Sequence, residues 1–158
     1  MNNLAVMPYT TAQARQQLLD SVAQAAEELG IALASLGEAY EQLDEANAER
    51  LEQEIFRPVQ IAYGRAQRAY KEFADRHGLP GHTFAPPSPG APSHGVKGFL
   101  DGAVEAVGKA DSALATLQDS MLPIEVGDAE LRASLEEVRK LLGDVRGHAH
   151  RFVRTLGR

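Results

Sequence analysis

Five histidines and a crowded run of acids are the residues of this sequence with the widest chemical reach. His77, His82, His94, His148 and His150 could hold a divalent metal, because neutral imidazole is the commonest metal ligand. With neighbouring arginines they could equally hold an anion. From Glu38 to Glu54 seven acids (Glu38, Glu41, Asp44, Glu45, Glu49, Glu52, Glu54) stand against Arg50 alone. The spacing matches no compact metal signature. There is no His-Glu-x-x-His, and no Glu-x-x-His of the kind that carboxylate-bridged di-metal bundles take from two of their helices. Without cysteine, disulfides, thiolate metal sites and thiol catalysis are excluded. No Gly-rich phosphate loop and no Gly-x-Ser-x-Gly elbow occurs, so the sequence implies no cofactor.

A second set of candidates is an aromatic row. Phe56, Tyr63 and Tyr70 lie seven residues apart and lead to His77, flanking an apolar heptad seam. Tyr and Phe are enriched in interface cores, so the row could dock a partner or a second copy of the chain. It could also simply widen the face that a helix buries.

The elements that must position these residues are helices. In the last, Leu131, Leu135, Val138, Leu142, Val145, Ala149, Phe152 and Leu156 alternate in steps of four and three, a heptad seam that needs partner helices to be stable in water. Three adjacent rows near the start (Leu18 to Ala39, Val22 to Leu43, Leu19 to Tyr40) predict a helix touching two neighbours. Thr10 and Gln13 are spaced as a capping box at its entry. A second seam runs from Leu51 to Phe73, with a turn expected near Asp44–Ala48 and a kink expected at Pro58. A third runs from Val96 to Met121, closed by Pro123, with Asp128 as N-cap of the last helix.

The predicted fold is all-α: a single domain over 1–158, an antiparallel four-helix bundle with helices at about 10–43, 47–77, 94–121 and 128–156. Gly78 should cap the second helix in a left-handed conformation. A Pro/Gly-rich connection follows to about Ser93, expected to be extended and mobile. It is long enough to span the bundle, so the direction of the third helix stays open. If the helices alternate up-down-up-down, the five histidines collect at one end with Arg76, Lys97, Arg146, Arg151, Arg154 and Arg158. The acids and the Asp119–Glu130 turn then share the other.

Net charge of −6 argues against nonspecific nucleic-acid binding. No apolar run approaches the length of a membrane span, and no signal peptide is read at Met1–Tyr9, so the expectation is a cytoplasmic protein. Apolar seams with no inward polar constellation favour a non-enzymatic protein acting through protein–protein interaction or a structural role, as a homodimer or with another protein. The alternative is a metal- or anion-binding bundle, conceivably an enzyme, using the His/Arg-rich end.

Overall fold

The computed structural model describes residues 11–88 and 95–156, and these are all-helical with no strand. The elements are α1 (Thr11–Gln42), α2 (Glu45–Leu51), α3 (Arg57–Arg76), α4 (Gly95–Asp119), the short α5 (Leu122–Val126) and α6 (Ala129–Leu156). A π-helical turn, Glu52–Phe56, joins α2 to α3 without a break. Thr10 of the expected capping box, His94 and the end of the long connection lie outside the described residues.

Local chemistry explains most of the boundaries. Asp44 has extended backbone and caps α2, its carboxylate accepting from the Asn47 N–H at 3.4 Å. At Pro58, where a kink is expected, the helix carries the π turn, in which the Arg57 N–H reaches back to the Glu52 carbonyl. In an unbroken α-helix the Pro58 ring would collide with the Glu54 carbonyl, and a widened turn relieves this. After α3, Gly78 adopts φ +64° and the Leu79 N–H bonds the Ala74 carbonyl at 2.8 Å, a Schellman ending.

The seams become the core. All of Leu51, Ile55, Val59, Ala62, Ala66, Ala69 and Phe73 are buried, as are the seam positions of α6 from Leu131 to Phe152. In α1 the first two rows are buried through Ala39 and Leu36, while the third ends on an exposed Tyr40. In α4 the expected row stops early. The helix ends at Asp119, and Met121 is 51% exposed with a left-handed φ of 69°. Phe99 and Ala106, off that row, are buried instead.

Residue pairs fix how the long helices pass one another. Gly30 meets Tyr63, and Tyr40 lies edge-on to Phe56 at 6.2 Å, so α1 and α3 run oppositely. Gly102 lies beside Ser35, while Gln17 to Glu28 share a groove with Glu105 to Ser120, so α1 and α4 also run oppositely. Arg76 bonds Asp128 and Glu130, Arg65 pairs with Glu137, and Arg50 covers the Phe152 ring at 5.1 Å. Helix α6 therefore passes α3 in the opposite sense, and Gln118 and Asp111 against Arg139 and Arg146 say the same for α4 and α6. Helices α3 and α4 consequently point the same way. The up-down-up-down order is not the one adopted, and the connection returns along the molecule.

Candidate functional site

Two clusters hold Phe56, Tyr63, Tyr70, His77 and His82 of the candidate residues. The first lies along the aromatic row of α3. Tyr70 is buried, Phe56 and Tyr63 are half-buried, and what covers them is this chain itself. Tyr40 of α1 meets Phe56. The segment after Gly78 folds back over the rest: Phe84 is edge-on to Tyr70 at 5.1 Å, and His82 lies 5.3 Å from Tyr70 and 4.9 Å from Phe84. The Tyr70 hydroxyl accepts the His82 backbone N–H at 3.2 Å. His82 Nδ1 faces the Thr83 carbonyl at 3.1 Å. A carbonyl only accepts, so Nδ1 carries the proton and Nε2 of the neutral ring is a bare acceptor. The connection expected to be extended and mobile is thus seated, as far as Pro87, beside the row expected to dock a partner.

The second cluster is centred on Asp128, one of two buried polar side chains among the described residues, Ser35 being the other. Asp128 Oδ1 caps α6 by accepting the Leu131 N–H at 2.9 Å. Arg76 grips the carboxylate with two bonds of 2.8 and 3.0 Å and reaches Glu130 with a third at 3.0 Å. His77 Nε2 lies 2.9 Å from Oδ2. An ionised carboxylate cannot donate, so His77 donates here. Burial raises the Asp128 pKa, but the Leu131 N–H, His77 and the Arg76 guanidinium outweigh it and hold the group below the ordinary aspartate value. Every strong acceptor site on Asp128 is occupied, so the cluster joins the end of α3 to the start of α6.

Among the described residues, His77 does not gather with His148 and His150. His77 sits at the start of α6 through Asp128, whereas His148 and His150 lie some 20 residues further along that helix, about 30 Å away. The physical reason is the direction of α4, which puts the α4–α6 turn beside the end of α3. His82 lies on the outer face of α3, exposed. No group of three or more possible metal ligands forms among the described residues. His148 is half-buried, with Nδ1 buried and without a hydrogen-bond partner.

Sequence reasoning missed the glycines that make the seat. Gly30 lies beside the apolar rows of α1 rather than on them, and a Cβ there would lie 3.5 Å from the Tyr63 ring and 3.6 Å from Pro87. A Cβ on Gly81 would lie 3.2 Å from Tyr70 Cε1. For Gly30, a glycine costing helix stability in the middle of a long helix was the available signal.

The described helices are also too short or too polar to cross a membrane. Comparison with family models, with curated proteins and with solved structures finds no match to this chain.

Proposed function

We infer that the chain is an antiparallel four-helix bundle that acts without catalysis, through protein–protein interaction or as a structural part, using its helix surfaces. The observation that carries this reading is the aromatic face of α3, which takes an extended stretch of chain onto Tyr63 and Tyr70. A face that binds chain within the molecule has the chemistry to bind chain from another, and Tyr and Phe are enriched at such interfaces. The apolar seams of the long helices meanwhile merge into one core, which leaves the outer faces for partners. Ile31, 40% exposed, borders the seated segment and adds apolar area to that face. A second copy of the chain is one candidate partner.

Light scattering of the wild type beside Ile31→Glu tests the reading. Ile31 lies outside the core, so the variant should fold with an unchanged melting temperature. A mass above one chain that falls to one chain in the variant supports interaction through this face. A wild-type monomer carrying stoichiometric metal would favour the alternative, a metal- or anion-binding bundle. Among the described residues, that alternative draws on His82, or on His148 with His150, as separate sites.

A further inference from the structure

The segment from Leu79 to Ser88 is held more closely than a connector has to be. Gly30 beside Tyr63 and Ser35 beside Gly102 set the registers of α3 and α4 on α1. From those registers, the chain must travel about 35–40 Å along the helix axes between Arg76 and Gly95. About 19 steps of extended chain reach roughly 60 Å. Closing the fold therefore leaves about a third of that length in hand, and contacts decide where the slack goes.

It goes onto α3. Phe84 is the hook, held edge-on by Tyr70 and His82, and the Tyr70 hydroxyl fixes the backbone at His82. Gly81 and Gly30 clear the space for the chain at Tyr70 and for Pro87 at Tyr63. Yet the seat is incompletely filled. Cavities of about 410 Å³ and about 390 Å³ flank the segment, one against Tyr70 and one against Tyr63, with His82, Thr83 and Phe84 as shared walls. Gly81, His82 and Thr83 remain exposed.

We propose that this face of α3 is a recognition groove for an extended proline- and glycine-containing peptide carrying one aromatic ring, and that residues 79–88 are its resident occupant, displaced when such a partner binds. The proposal rests on the interaction reading and names the partner's chemistry. Proline-rich extended chain has no internal hydrogen bonds and little freedom to lose, and it docks on aromatic-lined grooves. The resident makes the contacts such a ligand needs: ring on Tyr70, backbone N–H on the Tyr70 hydroxyl, and a proline over Gly30, whose other neighbour is the Tyr63 ring. While it is seated, a competing peptide sees only the open fraction of molecules, and its apparent affinity falls by that fraction.

The probe is a labelled synthetic peptide, Leu-Pro-Gly-His-Thr-Phe-Ala-Pro-Pro-Ser, the sequence of residues 79–88, titrated with full-length chain and read by fluorescence anisotropy. Phe84→Ala unhooks the resident and should bind the probe about ten-fold more tightly than wild type. Adding Tyr70→Leu should abolish that gain. If Phe84→Ala does not fold by circular dichroism, the double variant Ala85→Gly/Pro86→Gly replaces it, since it keeps every aromatic ring and Pro87 and loosens the segment. A folded, loosened variant that binds no better than wild type overturns the groove, as does binding that survives Tyr70→Leu. Either result leaves the interaction reading standing, because the Ile31→Glu mass measurement is made with the resident in place.

Discussion

Replacing Asp128 with alanine is the sharpest test of how the ends of the long helices are held. The carboxylate is 5% exposed and accepts four bonds of 2.8 to 3.0 Å, from Leu131, His77 and twice from Arg76. Loss of the N-cap alone costs about 1 kcal/mol. Stripping the acid from a buried pair costs about 3–5 kcal/mol when the remaining cation is stranded. Arg76 is not wholly stranded, being 29% exposed and still bonded to Glu130. The combined loss should therefore be about 2–4 kcal/mol, or about 6–12 °C in melting temperature at the middle of that range for a domain of this size. Urea unfolding followed at 222 nm at pH 7 measures it, with an unchanged slope showing that the same surface is exposed. A pH series supplies the sign. Because the folded-state pKa is lowered, the carboxylate's contribution is complete above the unfolded value of about 3.9 and is lost as pH falls through the folded value. Asp128→Asn, which keeps an acceptor for Leu131, should cost less than alanine and should flatten the acid limb of the curve. A loss below about 1 kcal/mol for Asp128→Ala would refute the reasoning.

Three further substitutions probe other parts of the molecule. Gly81→Val would press on a buried Tyr70 from about 3.2 Å, so amide exchange at His82 and Phe84 should quicken with little change in melting temperature; unchanged protection would mean Tyr70 simply shifts. Met121→Gly relieves a left-handed residue that buries little, and a gain of about 0.5–1 kcal/mol in urea unfolding is expected. Ala66 is 2% exposed in the packed α3 seam, so Ala66→Leu should lower stability by about 1–3 kcal/mol, and a raised melting temperature would contradict close packing there.

The helices were legible because their seams are long and regular. A residue such as Leu142 or Val59 is placed by a period, and no tertiary knowledge is needed to bury it. Caps were legible for a similar reason: Asp44, Gly78 and Asp128 act through backbone groups within a few residues. Met121 was misread because it continues the α4 period in sequence, while Pro123 and the left-handed turn take it out of the helix. The candidate site was only half visible. The row Phe56, Tyr63, Tyr70 could be seen, but its cover could not. Phe84 and His82 sit in a stretch with no period, and a stretch without a period carries no statement of what it packs against.

The direction of α4 shows where pattern reading ends and charge takes over. A heptad seam looks the same from either end, so apolar rows cannot say whether the third helix runs with the second or against it. In an up-down-up-down order the C-terminal ends of the second and fourth helices share one end of the molecule. Arg76 and His77 would then lie with Arg151 and Arg154, like charges at like ends of two helix dipoles. In the order adopted, Arg76 and His77 close the end of α3 against Asp128 and Glu130 at the start of α6. At the opposite end, the acids of the α1–α2 turn stand beside the basic last turns of α6, as Arg50 over Phe152 requires. The segregated charges that sequence alone suggested as a polarity of the whole molecule thus serve as a pairing code between neighbours. Carrying the code out requires a chain that runs from one end of α3 to the far end of the molecule, and a short turn could not do it. The long proline-rich connection is therefore a consequence of charge pairing at the helix ends, while the contacts with Tyr70 and Phe84 choose its path within the slack that this length leaves.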